Sequence, residues 1–356
     1  MNQRVVRLQD VMRQKGIEAL LLTNRRNCYY ISNFTGSSGV ILLTKDDAYL
    51  LTDFRYLSQV KEQSPDFTVV EHLGNQMYPK VAETCKSLGV SSLHFEPEYL
   101  SYAEYQELST ALGQIALEPL GSVMEQIRGQ KEDKELSCIQ KAIHIAEDSF
   151  RQLLTELRPG MTEKQVALRL EWLMRERGAS GVSFDMIVAS GIRSALPHGV
   201  ASDKSIEKGD LVTFDFGCYY QGYVSDITRT IAIGHCSNEQ RVIYEIVLAA
   251  NEKAIEGIVP GIQARDADAI ARDFIEQAGY ADCFGHGTGH GIGLDIHEFP
   301  RLGMTSEDIL LPGMVVTVEP GIYLKDRFGV RIEDDILITP EGNKVLTSLP
   351  KELIIL

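Results

Sequence analysis

Apolar positions change their spacing along the chain, and the changes divide it into elements. Short apolar runs at Ala19 to Thr23, Val40 to Thr44, Ala48 to Thr52, Phe67 to Glu71 and Leu93 to Glu96 predict strands. Helical spacing over Val5 to Lys15, Met77 to Leu88 and Tyr102 to Leu112 predicts helices between them. The alternation predicts a small α/β domain. A charged stretch, Arg128 to Glu135, leads into a helical pattern ending near Leu157, and a boundary here divides the chain into 1–128 and 129–356. Past Pro159-Gly160, Thr162-Glu163-Lys164-Gln165 has the form of a capping box and predicts a helix to about Arg177. Two more helices are predicted over Asn238 to Ile258 and Ala264 to Ala278, interleaved with short strands. The second domain thus reads as helices on a mainly antiparallel sheet, and the whole chain as α+β.

Two of the predicted hairpins carry acids in unexpected places. In Val212-Thr213-Phe214-Asp215-Phe216-Gly217-Cys218-Tyr219-Tyr220-Gln221-Gly222-Tyr223-Val224-Ser225-Asp226, symmetric pairing about Tyr220 and Gln221 sets Asp215 opposite Asp226. Opposed like charges in a ladder are destabilising, so this pair asks for a cation. Val316-Thr317-Val318-Glu319-Pro320-Gly321 repeats the first strand, with Tyr323 echoing Tyr219, and Gly329-Val330-Arg331-Ile332-Glu333 echoes the second after a loop three residues longer. Four carboxylates from two related hairpins can converge on one site.

Composition narrows the class. With 356 residues, 44% of them hydrophobic and 24% charged, the chain is long enough for two well-packed domains. A net charge of −15 argues against nucleic acid or anionic membranes as partners. No apolar run approaches the roughly 18 residues of a membrane span, and the start is a charged amphipathic pattern, so a cytoplasmic location is expected. Six scattered cysteines form no C-x-x-C pair and predict neither a disulfide framework nor a cysteine zinc site. Asp215-Phe216-Gly217 spells the kinase D-F-G, but no H-R-D loop precedes it. His72, His94 and His144 have no partners in sequence.

The densest signal lies between the hairpins, in Phe284-Gly285-His286-Gly287-Thr288-Gly289-His290-Gly291-Ile292-Gly293-Leu294-Asp295-Ile296-His297-Glu298. Glycines at alternate positions exclude a helix, so His286 and His290 belong to a closely packed loop or strand. Asp215, Asp226, His290, Glu319 and Glu333, preceded by Leu196-Pro197-His198-Gly199, resemble in type and order the ligand set of the dinuclear metallopeptidases of the prolidase and aminopeptidase P family. The resemblance covers the whole chain. It implies a creatinase-like N-terminal α/β domain followed by a pita-bread catalytic domain of two related halves. It also implies two metal ions, with Asp215 serving one, Asp226 and Glu333 bridging, and His290 with Glu319 completing the other.

Four carboxylates and one imidazole make a mostly hard donor set, which suits Mn²⁺ first, with Co²⁺ or Zn²⁺ as alternatives. Glu319 is the candidate proton shuttle, since a carboxylate beside the reacting water can take its proton and deliver it to the leaving nitrogen. By the resemblance, His198 and His297 contact the substrate and the developing tetrahedral centre, and His286 and Arg331 support the metal ligands. Phe184 matches an aromatic wall of the proline pocket or packs in the core; His286 equally fits loop packing. Arg301 is the candidate for gripping the free carboxylate of a dipeptide, against a solvent-facing arginine after a turn.

The expected activity is metal-dependent hydrolysis of the bond between an N-terminal residue and proline in small peptides. An Xaa-Pro dipeptidase is preferred to an Xaa-Pro aminopeptidase on longer chains, and a homodimer is implied by the resemblance. A metal-free creatinase-like hydrolase conflicts with the intact ligands, and a methionine aminopeptidase with the extra N-terminal domain. A non-catalytic binding module is the reading from outside enzymes.

Overall fold

The computed structural model describes residues 2–356 and divides after Ile127 into two compact units. The N-terminal unit is built on a six-stranded mixed sheet. Its strands run in the order Thr68–Glu71, Ala48–Thr52, Val40–Thr44, Ala19–Leu22, Ser92–Phe95, Ala116–Pro119. The central strand Ala19–Leu22 is buried along its whole length and pairs antiparallel with Val40–Thr44 and parallel with Ser92–Phe95. Helices Met77–Ser87 and Tyr102–Leu112 lay Tyr78, Val81, Cys85, Leu108 and Leu112 on the same core as Leu21, Leu42 and Leu93. Two helices here, Arg25–Ser32 and Leu57–Gln63, are too short for an apolar period to announce them.

Every strand pairing in the C-terminal unit is antiparallel. One sheet has the order Ile227–Ala232, Leu211–Phe216, Ile187–Ser190, and a five-stranded sheet has the order Glu298–Leu302, Gly289–Gly291, Val315–Val318, Asp334–Thr339, Gly342–Val345. The long helix Asp133–Glu156 buries Ile139, Ala142, Ile143, Ala146, Phe150 and Leu153, a single stripe at helical spacing. Helix Glu163–Glu176 starts at the Thr162 capping box, with Gln165 N donating to Thr162 Oγ1 and Thr162 N to Gln165 Oε1. Helices Asn238–Gly257 and Ala264–Gln277 pack Val247, Ala250, Ala254 and Ala271 against Val316, Val318, Val330 and Ile332 of the second hairpin. Among the described residues no helix is long and apolar enough to cross a membrane.

The hairpin register differs from the sequence expectation. Gln221 and Gly222 both have positive φ, 49° and 84°, and form a two-residue turn, so Tyr220 pairs with Tyr223 and Asp215 with Thr228. Asp226 lies two residues from Thr228 and so stays diagonal to Asp215 on one face of the ladder, not directly opposite it. In the second hairpin the loop between the paired Leu324 and Phe328 is one residue longer than in the first, not three. Gly321 pairs with Arg331 and Val318 with Asp334, and the same register carries Glu319 opposite Glu333. The direct opposition of like charges belongs to the second hairpin.

Candidate metal centre and active site

Strand alternation aims the carboxylates. Phe214 and Phe216 pack on Phe150, at 5.2 Å edge-on and 4.9 Å stacked, so Asp215 between them faces the other way. Val316 and Val318 likewise enter the core, leaving Thr317 and Glu319 on the opposite face. Arg331 and Glu333 alternate with the buried Val330 and Ile332. The two hairpins meet at one wall, where Thr228 Oγ1 donates to Glu333 Oε2 at 2.7 Å and Glu333 N to Thr228 O.

His290 arrives on the strand Gly289–Gly291, which lies between two neighbours in the five-stranded sheet, and His286 and His297 lie on the segments before and after it. A Cβ at Gly289 would overlap Thr317 O, and this close approach explains a glycine beside His290. His290 Nδ1 lies 3.1 Å from Gly291 O, a contact that places the proton there and leaves Nε2 as a free lone pair. That nitrogen is 3.6 Å from Asp226 Oδ2 and 3.4 Å from Glu319 Oε1. One ligand atom each from Asp226, His290 and Glu333 falls within 4.8 Å of the others. The rings of His290 and His297 lie 4.4 Å apart, and Arg301 pairs directly across the ladder from His290.

Arg331 ties the parts together. Its guanidinium donates to Asp215 Oδ2 at 2.6 Å, Thr228 Oγ1 at 3.1 Å, Tyr323 OH at 2.8 Å and Pro197 O at 3.2 Å, the last beside His198. Tyr323 OH in turn meets His286 Nε2 at 2.8 Å, while His286 Nδ1 lies 2.8 Å from Gly287 O. The Asp268 carboxylate accepts from Thr288 N and Oγ1 and pairs with Arg272, which donates to the carbonyls of Phe284 and His286. The glycine-rich loop is thereby held from both sides.

Electrostatics at this wall favour bound cations. Burial, then repulsion from Glu333 and Asp215, pushes the Asp226 carboxyl well above its ordinary range; burial, then Glu319 and Asp215, does the same to Glu333. Burial raises Glu319 to about 8 against the pull of Arg331. Burial and the neighbouring His297 lower His290 to about 3, which keeps its imidazole neutral. Asp215 Oδ1 is buried with no hydrogen-bond partner. Carboxylates crowded to the point of holding protons, a neutral imidazole and an orphaned oxygen together fit a pair of divalent ions.

A single cavity of about 900 Å³ is lined by Asp215, Asp226, His290, Glu319 and Glu333. His198, His286, His297 and Arg331 line it too, as do Phe184 and Arg301. Sequence reasoning missed Thr228, Tyr323, Asp335 and Asp268. Asp335, whose Oδ2 accepts from Asp226 N at 3.3 Å, could have been found by continuing the alternation through Arg331 and Glu333. Asp268 breaks the apolar stripe of Ala264, Ala267, Ala271 and Ile275 on its helix, which is itself a signal. Thr228 required the corrected register, and Tyr323 showed only as an echo of Tyr219.

Residues 137–340 match Metallopeptidase family M24, and residues 4–130 match the Creatinase/Prolidase N-terminal domain. The chain belongs to metallopeptidase family M24. Membership implies divalent metal ions, in accord with the donor set above. A Xaa-Pro dipeptidase structure from Bacillus anthracis superposes with a TM-score of 0.97 at 48% identity, covering 99% of each chain. The Xaa-Pro dipeptidase of Pyrococcus horikoshii is 42% identical over 99% of both chains. An X-Pro aminopeptidase structure from Thermotoga maritima has a TM-score of 0.92 at 40% identity, covering 98% of this chain and 100% of the other. The M24 fold seen here is thus the creatinase-like domain plus the pita-bread domain.

Proposed function

We propose that this M24 protein is an Xaa-Pro dipeptidase, hydrolysing the bond between an N-terminal residue and proline in small peptides. The observation that carries the reading is one cavity lined at once by the acid and histidine cluster and by Arg301 across the ladder from His290. The dipeptidases of Bacillus anthracis and Pyrococcus horikoshii support the substrate class.

Asp215, Asp226, His290, Glu319 and Glu333 would hold two ions, and their four carboxylates and single imidazole favour Mn²⁺. When bound, such ions supply Lewis acidity that lowers the pKa of water and polarises a carbonyl. Glu319 takes the proton of the attacking water and passes it to the proline nitrogen as the C–N bond breaks. His198 and His297 hydrogen-bond the substrate and the oxyanion that develops at the carbonyl carbon. Arg331 and His286 fix the acids: Arg331 anchors Asp215 directly, and His286 orients Tyr323 beside it. Phe184 forms a wall of the proline pocket, and Arg301 grips the free carboxylate of the dipeptide bidentately. Domains divided as 1–128 and 129–356, a homodimer and a cytoplasmic location complete the proposal.

A second reading, an aminopeptidase on longer peptides, is favoured by the Thermotoga maritima structure. Hydrolysis of an Xaa-Pro dipeptide beside an Xaa-Pro-Xaa tripeptide, on Mn²⁺-loaded protein of known metal content, separates the two. The dipeptide is expected to have the higher kcat/KM; a preference for the tripeptide overturns the dipeptidase assignment.

A further inference from the structure

The segment that carries His198 into the cavity has little structure of its own. Gly191–Ala195 is a single 3-10 turn, and beyond it the chain makes one isolated bridge, Val200 with Ile187. Both ends of the segment converge on one carboxylate. Glu163, the first residue of helix Glu163–Glu176, is fully buried and does not line the cavity. Its Oε1 accepts from Ser190 N and Ser190 Oγ, each at 2.8 Å. Its Oε2 accepts from Ser202 N at 3.0 Å, Ser202 Oγ at 2.6 Å and Arg193 Nη1 at 3.0 Å. Arg193 then reaches across the segment, Nη2 donating to Val200 O at 2.8 Å.

We propose that Glu163 is a positioning residue for His198, pinning both feet of its loop so that the imidazole is held against the substrate. The far side of the loop is fixed independently: Gly329 N donates to Ser194 Oγ at 2.9 Å and Arg331 Nη1 to Pro197 O. His198 is therefore fixed from the hairpin side by Arg331 and from the base by Glu163. Ser190 ends its strand opposite Val212, but between Ser190 and Ser202 the loop has no ladder of its own, and the carboxylate is the group that joins its two feet. A carboxylate suits the task because five donors converge on it and none is left to clash. An amide in its place has one acceptor oxygen, and its NH₂ faces a backbone N–H, so one foot is released. Its place in the first helical turn also favours the negative charge.

The inference rests on the reading of His198 as a substrate contact, and a double-mutant cycle keeps the two apart. Glu163→Gln, His198→Ala and the double variant are compared with the parent, all loaded with Mn²⁺, by metal content, kcat and KM on an Xaa-Pro dipeptide, and amide hydrogen exchange. Glu163→Gln should keep its metal, exchange faster over residues 190–202 alone, and lose kcat by about tenfold or more, with KM much less changed. In the His198→Ala background the same change should cost less than about twofold, because the group it positions is gone. Equal losses in both backgrounds, or an unchanged kcat, overturn the proposal while the His198 reading stands. Full activity of His198→Ala overturns that reading and this inference with it. Ser202→Ala, which removes one donor, guards against a Glu163→Gln chain that does not fold. It should show the same pattern at smaller size, and faster loop exchange with unchanged kcat would overturn the proposal.

Discussion

Arg301 bears most directly on how long a substrate this site takes. It lies across the ladder from His290 and lines the cavity, and its guanidinium can form two parallel hydrogen bonds to a carboxylate. Arg301→Ala should raise KM for an Xaa-Pro dipeptide strongly and leave an Xaa-Pro-Xaa tripeptide, whose carboxylate lies farther out, much less affected. Equal losses on both would remove Arg301 from the carboxylate site. His198 and His297 stand apart from the acids in role. Alanine at either should keep near-normal metal while kcat/KM falls by roughly 10² or more, as expected for a lost oxyanion contact. Metal loss in either variant would make that histidine a ligand. Residue types and their order were the most legible part of the sequence, because metal chemistry admits few substitutes for a carboxylate or an imidazole. A buried positioning acid such as Glu163 carries no such mark, since it reads locally only as part of a capping box, whereas Asp268 shows only as a break in the apolar stripe of its helix.

At the scale of elements, each hairpin carries apolar residues on one face and acids on the other, and the crowding of the acids is relieved either by protons or by a cation between them. Asp215→Asn or Glu333→Gln should therefore lose metal and activity together. For Glu333→Gln the metal-free form should be unchanged or more stable, because repulsion with Asp226 and Glu319 is relieved. Asp215→Asn also breaks the buried ion pair with Arg331 and should not gain stability. Full metal occupancy in either variant, measured by elemental analysis, would show the ligand assignment to be wrong. The strands and the Thr162 capping box were legible because alternation and capping are local rules. The register was not: the turn shifts by one position when Gln221, a non-glycine residue, takes a left-handed conformation. A shift of that kind preserves which face each acid occupies, and so the convergence was readable although the opposed pair was misassigned.

For the molecule as a whole, the acid cluster links stability to pH and metal. Without metal, Glu319 titrates at about 8 in the folded protein and near 4.3 in an unfolded chain. The folded state then binds the extra proton, so stability is lost as pH rises through about 8. Asp226 and Glu333, also raised, act in the same sense. His286 and His290, lowered to about 4 and about 3, act oppositely, but their contribution is complete above the unfolded histidine value near 6.5. The buried thiols Cys28, Cys85 and Cys218 begin to matter only above about pH 8. Between pH 7 and 8 the Tm of metal-free protein should fall by about 2–4 °C, while Mn²⁺-loaded protein stays level. Parallel curves would separate the acids from the metal. The most direct test of the account is a titration of metal-free protein with Mn²⁺, following bound metal and hydrolysis of an Xaa-Pro dipeptide in the same sample. Hydrolysis is expected to be absent in chelator and to reach its plateau as the second ion binds. Full activity without metal, or two ions bound with no hydrolysis of any Xaa-Pro dipeptide, would contradict it.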